Sequence, residues 1–325
     1  MTILVTGGCG YIGSVCVQKL VERGHQLVVL DNLNTGSKEV IDSKVLFYKG
    51  SVLDKKMLEM IFIEHKIDVV IHFAAITTIE GSTTNPSIYF NTNVAGGIFL
   101  LDVMRKYGCN KIIYSSTAAV YGNPISLPID EKHPTKPLNS YGLSKLMFEQ
   151  ILYWYHQAYG LKYRIFRYFN ASGATDKSGD NHNPENHLIP NVLAVALGAK
   201  KEAIIYGNDY DTPDGTCIRD FIHVLDLAAA HIISLNNWEE KTNAIYNLGN
   251  QIGYSVLEVV ETARRITKHP ILSRFSKRRT GDPPVLIASS SLAKKELKWK
   301  PVYLSLEEII VSQWNWQKKN YSYVK

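Results

Sequence analysis

The chain opens Thr2-Ile3-Leu4-Val5-Thr6-Gly7-Gly8-Cys9-Gly10-Tyr11-Ile12-Gly13. Ile3–Thr6 is a short apolar run, the pattern of a buried strand, and a helical pattern follows over about Ile12–Glu22. Gly8, Gly10 and Gly13 fit G-x-G-x-x-G; Gly7, Gly10 and Gly13 fit G-x-x-G-x-x-G equally well. Between a strand and a helix this spacing predicts a phosphate-cradling turn. Glycine lets the backbone approach a pyrophosphate, and the free N–H groups of the helix N-terminus, here at Tyr11 and Ile12, favour negative charge.

The next apolar run, Leu27–Leu30, ends in Asp31-Asn32. An acid about 20 residues beyond the glycines accepts hydrogen bonds from an adenosine ribose and repels a 2′-phosphate, so the expected cofactor is NAD and not NADP. Val45–Tyr48, Val69–His72, Ile112–Ser115 and Tyr163–Tyr168 read as further buried strands. Helical patterns lie at about Lys55–His65, Ser87–Lys106 and Ser140–Tyr159. Apolar strands alternating with helices predict an α/β fold, a doubly wound parallel sheet covered on both faces. Ser172–Pro190 is rich in Gly, Asn, Asp and His and reads as a loop. The expected division is a dinucleotide-binding domain over 1–170, to which later segments can return, and a smaller mixed α/β substrate domain over 171–325.

Composition narrows the function classes. Of 325 residues, 45% are hydrophobic and 20% charged, as in ordinary globular proteins. Lys+Arg 36 against Asp+Glu 30 leaves only +6. The densest basic cluster, Lys277-Arg278-Arg279, suits one anionic small molecule and not a nucleic acid. The four cysteines form no C-x-x-C, which points to a reducing compartment, hence the cytoplasm. The apolar stretch Leu188–Ala199 is too short to span a membrane. His182, His187 and His223 show no metal-ligand spacing, and no metal is expected.

Catalytic chemistry is concentrated in two segments. Ser115-Ser116-Thr117 ends a strand, and strand C-termini border the ligand crevice of such sheets. Ser140-Tyr141-Gly142-Leu143-Ser144-Lys145 places Tyr141 and Lys145 one turn apart on a helix face. With the glycine turn, these elements resemble the extended short-chain dehydrogenase/reductases. Arg167-Tyr168-Phe169-Asn170, Gly207-Asn208-Asp209-Tyr210, Arg219-Asp220-Phe221-Ile222-His223-Val224, Tyr246-Asn247-Leu248-Gly249 and Arg278-Arg279-Thr280-Gly281-Asp282-Pro283 narrow the resemblance to the UDP-glucose 4-epimerase family, over nearly the whole chain.

The resemblance implies a Rossmann-type fold and inversion of carbon 4 of a UDP-hexose through a transient 4-keto sugar. It makes Tyr141 the general base, with Lys145 lowering its pKa and binding the cofactor, Thr117 holding the reacting oxygen and Ser116 in support. It places Gly7, Gly10, Tyr11, Ile12, Gly13, Asp31, Asn32, Ser51, Val52, Phe73, Ala74, Ala75, Asn93 and Tyr168 against NAD. Asn170, His187, the Leu188 backbone, Tyr206, Arg219, Arg279, Asp282 and Leu286 fall to the UDP-sugar. A homodimer is implied, through helices near Ser87–Lys106 and Ser140–Tyr159. Thr77 and Ser51 depart from the family's lysine and acid near the cofactor. His187 replaces an asparagine, and Leu286 stands where some members carry a bulky tyrosine, leaving room for UDP-N-acetylhexosamines. Alternatives are an epimerase for UDP-glucuronate or a UDP-pentose, and a non-catalytic dinucleotide sensor. A 4,6-dehydratase is disfavoured because Ala118-Ala119 follow Thr117 where an Asp-Glu pair would be needed.

Overall fold

The computed structural model describes residues 1–320 except 181, 183, 184, 240, 241 and 280, with backbone alone at 79 and 80. Thr280 of the Arg278–Pro283 motif therefore lies outside the described residues.

The chain begins β1 (Thr2–Thr6), α1 (Tyr11–Glu22), β2 (Gln26–Asp31), β3 (Leu46–Lys49), α2 (Lys55–Glu64) and β4 (Val69–His72). Then come α3 (Ile79–Thr84), α4 (Pro86–Tyr89), a π-helical segment (Phe90–Ala95), α5 (Gly96–Lys106), β5 (Lys111–Thr117), α6 (Ser140–Tyr159) and β6 (Lys162–Tyr168). The single helix expected over Ser87–Lys106 is thus interrupted by a π segment, a local widening that recurs at functional sites. Beyond it run β7 (Asn170–Ser172), α7 (Leu188–Ala196), β8 (Ala203–Tyr206), β9 (Ile218–His223), α8 (Val224–Ile233), β10 (Ala244–Leu248) and β11 (Gly253–Ser255). The chain continues with α9 (Val256–Thr267), β12 (Ser273–Ser276), β13 (Val285–Leu286), α10 (Ser291–Glu296) and α11 (Leu306–Lys319).

Seven parallel strands form the main sheet in the order β10-β6-β5-β4-β1-β2-β3. Leu4, Val28, Val70 and Ile112 pack on one face against Leu58, Leu100 and Phe148. Ile3, Val29, Ile71 and Ile113 pack on the other with Val15, Leu227 and Trp299. Burial on both faces explains why these strands read as continuous apolar runs instead of alternating ones. Residues 1–170 supply six of the seven strands, and β10 returns from the second half to pair with β6.

The order reverses between β1 and β4, and there the C-terminal strand ends open a crevice. Register aligns that edge: Thr6 pairs with Leu30 and His72, and Thr117 with Tyr168, which pairs with Leu248. The smaller region combines a sheet of β11-β9-β13 with β7 added to β9, a β8–β12 pair, and helices α7, α9 and α11. Its own core holds Val192, Leu193, Val260, Ile309 and Trp314. It sits over the open edge because β7 follows directly from β6.

Candidate active site

The glycine turn is held by sterics and by Asp31. Gly7 has φ +73°, and a Cβ there would stand 2.5 Å from the Ala74 amide nitrogen; one on Gly13 would stand 2.2 Å from the Gly7 carbonyl oxygen. Both glycines are therefore required by the fold itself. Gly10 differs: a Cβ there would meet only the Gly7 carbonyl oxygen, at 3.4 Å, ordinary contact. Its missing side chain leaves open a cradle above the α1 N-terminus, where no side chain caps the helix and no acid occupies the first turn. That open, positive helix end fits a pyrophosphate. Asp31, 8% exposed, accepts from the Cys9 amide at 2.9 Å and the Leu33 amide at 2.8 Å. Each oxygen keeps a lone pair for a ribose hydroxyl. These residues fit NAD.

Two alanine substitutions separate the roles. Gly13→Ala should destabilise the fold, lowering Tm and cofactor content together. Gly10→Ala should leave Tm of the cofactor-free chain within about 2 °C, as a surface change does, while reducing NAD retention. Thermal melts with cofactor assay of the denatured protein check both; equal behaviour would reject the distinction.

The Tyr141–Lys145 pair lies on α6, whose start is fixed by the Asn139 side chain accepting from the Gly142 amide at 2.9 Å. Tyr141 is hydrogen-bonded to the Thr117 side chain at the end of β5, so a hydroxyl and a phenol meet across the crevice. Burial pushes the Tyr141 phenol up to about 12, and the Thr117 bond opposes that. Lys145 is 2% exposed. Its ammonium donates to the Ser115 carbonyl at 2.8 Å and lies 4.9 Å from the centre of the Tyr114 ring. Burial lowers its pKa to about 7, against the opposing pull of Glu149. The chain alone does not produce the expected depressed phenol; desolvation outweighs it.

Several expected contacts turn into the protein. Ser116 donates to the Glu149 carboxylate, which also forms a buried two-point ion pair with Arg167, Nη2 at 2.6 Å and Nε at 3.1 Å. Alternation along β5 explains this, because Ser116 faces α6 while Thr117 faces the crevice. Ser116 is thus a positioning residue and not a catalytic one. Asn93, in the π segment, donates to the Ile76 carbonyl at 3.0 Å and to Ser144 at 2.9 Å and accepts from the Ile76 amide at 2.8 Å. It pins the loop after β4 to α6, with both amide hydrogens engaged and one lone pair of Oδ1 still open. The Tyr168 hydroxyl lies 2.6 Å from His231 Nε2, within the core. Ser51 accepts from the Leu53 amide at 3.2 Å; Val52 is buried against α5. Phe73 packs on His231, ring centres 4.9 Å apart, and the Phe73 and Ala74 amides donate to the Thr6 carbonyl at 2.9 and 3.0 Å. Ala75 and Asn32 follow β4 and β2 at the same sheet edge.

On the opposite wall, the Arg279 guanidinium stacks 4.0 Å over the Tyr206 ring. Arg219, 9% exposed, lies 3.6 Å from the Asp282 carboxylate and pairs through the backbone with Leu286 on β13. Leu286 packs against a cluster containing Ala118, Tyr121 and Phe169, beside the β5 end. Asn170 begins β7, and His187 is the residue before α7, which starts at Leu188. Beside Tyr206, a cleft of about 670 Å³ is lined by Asn208, Asp209, Phe275, Ser276, Lys277 and Arg278. Within the basic triplet, Arg278 is tied to Asp209 at 2.7 Å, and Arg279 takes the ring of Tyr206.

Sequence spacing missed one cluster. Asp180, His182, Glu185 and His187 bring their ligand atoms within 4.8 Å of one another. A wider D-x-H-x-x-E-x-H reading would have found it.

A family model described as the NAD dependent epimerase/dehydratase family matches residues 3–249. The UDP-glucose 4-epimerase of Halalkalibacterium halodurans is 48% identical over 323 residues, 98% of this chain and 96% of that protein. The chain belongs to the UDP-glucose 4-epimerase family. A Bifidobacterium longum epimerase solved with NAD+ and UDP superposes with a TM-score of 0.94 at 40% identity, covering 99% of each chain. The UDP-Glc/GlcNAc 4-epimerase of Campylobacter jejuni gives 0.86 at 36%, covering 98% of this chain and 99% of that one. The epimerase family thus accounts for the crevice, the glycine turn and the Tyr141–Lys145 pair together.

Proposed function

We propose that the protein interconverts UDP-galactose and UDP-glucose by oxidising carbon 4 to a ketone and reducing it from the other face. The observation that carries this is the Tyr141 phenol bonded to Thr117 at the C-terminal end of β5, on the same sheet edge as the glycine turn. NAD, when bound there, supplies a reversible hydride acceptor. Tyr141 takes the proton of the carbon-4 hydroxyl and returns it after the hexose turns. Thr117 orients the reacting oxygen. Arg219 and Arg279 hold the diphosphate by charge-assisted bonds while the sugar rotates. Asp282, Tyr206, Asn170 and the Leu188 backbone complete the nucleotide grip. Positive charge brought to the crevice lowers the phenol's pKa from the value that burial imposes.

Purified protein incubated with UDP-galactose and no added cofactor should yield UDP-glucose, with deuterium at carbon 4 retained in the product. Loss of label to solvent would overturn the mechanism. UDP-glucuronate and a UDP-pentose in the same panel test the runner-up substrates. UDP-N-acetylglucosamine should also turn over, because Leu286 is smaller than a tyrosine at that position; no turnover would reject that extension.

No described helix is long and apolar enough to cross a membrane, and the reading keeps the enzyme in the cytoplasm without nucleic-acid or membrane partners. A homodimer is supported by large apolar side chains exposed on α6 and α4: Leu143, Tyr153, Trp154 at 66%, Tyr159 and Ile88. Light scattering reads the mass directly, and a monomer would reject the dimer.

A further inference from the structure

The loop between β7 and α7 carries two imidazoles and two carboxylates; His187 is the one expected beside the UDP-sugar, and the proton and hydride transfers proposed above use none of the four. Asp180 is 3% exposed. One of its oxygens lies 2.6 Å from His182 Nδ1 and the other 2.9 Å from His187 Nδ1. Glu185 Oε1 is 3.6 Å from the same His187 nitrogen. The two imidazole rings stand edge to face, 4.6 Å apart. Asp180 is itself held from behind: its amide donates to the Gln313 side chain at 3.2 Å, and that side chain donates to the Asp180 carbonyl at 2.9 Å. The Glu185 carboxylate accepts from the His182 and His187 amides at 3.0 and 2.8 Å, which fixes its direction.

Two adjoining carboxylates, one almost wholly removed from water, require positive charge between them. Imidazolium protons answer this need in one way, and a metal cation in another. We propose that Asp180, His182, Glu185 and His187 form a binding site for a divalent cation of the zinc class. Two nitrogen and two oxygen donors suit zinc, with bonds of about 2.0–2.2 Å that set neighbouring donors of a tetrahedron about 3.4 Å apart. His187 and Glu185 already have that separation. The Asp180 contacts are of hydrogen-bond length and would open by about 0.5 Å at His187 and about 0.8 Å at His182 as the cation replaces the bridging protons.

The site links both halves of the crevice. Tyr11, in the glycine turn, meets the His182 ring at 6.4 Å between centres and donates to the Gly173 carbonyl at 2.5 Å. Ser14 on α1 bonds Ser178 at 2.7 Å. His187 precedes α7 and feels the charge of Arg279. A bound cation would fasten the nucleotide-facing start of α7 to the cofactor turn. Zinc takes up only deprotonated ring nitrogens, so its binding displaces any proton they carry and its affinity falls as pH falls.

The test is calorimetric titration of Zn2+ into tag-free, chelator-treated, dialysed protein that retains its cofactor. The expected result is one saturable site per chain, with proton release near pH 7.5. Asp180→Asn and His182→Gln should each weaken binding by at least about tenfold, while His25→Gln changes nothing. If Asp180→Asn does not fold, as circular dichroism will show, His182→Gln decides. Absence of saturable binding, or binding indifferent to both substitutions, overturns the site and leaves a proton-bridged network. Neither result depends on turnover, so the outcome is separable from the epimerase assignment.

Discussion

Tyr141→Phe should lower kcat by about three orders of magnitude, within the range of a lost general base, while NAD content and Tm stay near wild type. The substitution removes one oxygen from a buried ring. Its partner Thr117 keeps a second hydrogen bond, accepting from the Ala119 amide at 3.1 Å, so no polar group is stranded. KM should change less than threefold, because the proposed diphosphate grip, Arg219 on β9 and Arg279, lies apart from α6. Steady-state assay with cofactor analysis of the denatured protein checks this. Turnover within tenfold of wild type would remove Tyr141 from proton transfer.

Lys145→Met should reduce kcat by about two to four orders of magnitude and yet raise thermal stability at acidic pH. The Lys145 ammonium is buried, with a backbone carbonyl and an aromatic face as its close partners, and burying a cation without a tight carboxylate costs several kcal/mol. Its pKa falls from the ordinary 10.5 to about 7. Between these values the unfolded chain holds a proton that the folded chain lacks, so stability climbs as pH rises from about 7 toward 10.5. Below pH 7 the whole penalty is present. Methionine removes it, so the gain in Tm over wild type should be largest near pH 6 and shrink by pH 9, at about 2–4 °C per kcal/mol recovered. Melts at matched cofactor content decide it. A lower Tm at pH 6 would mean that the Ser115 contact outweighs desolvation.

The buried Arg167–Glu149 pair shows why catalytic and supporting residues were hard to separate by reading. Tyr141, Lys145, Thr117, Ser116 and Asn93 all stand in recognisable motifs. Which of them face the crevice depends on strand alternation and on the π segment, and only packing fixes both. The wider α4–α5 turn brings Asn93 to Ile76 and Ser144, a geometry that helical periodicity does not encode.

The order of strand, glycine turn, helix and acid is written locally, because backbone sterics at Gly7 and Gly13 and apolar runs in β1, β2 and β4 act within a few residues. The Tyr141–Lys145 spacing is equally local, since one helical turn sets it. Long-range placement is different. β10 joins β6 across some 80 residues of chain, and the Asp180 cluster forms only because Gln313 on α11 holds the loop. A Gly, Asn and His-rich segment has no periodicity of its own, so the sequence leaves its partners open and the surrounding packed surfaces select them.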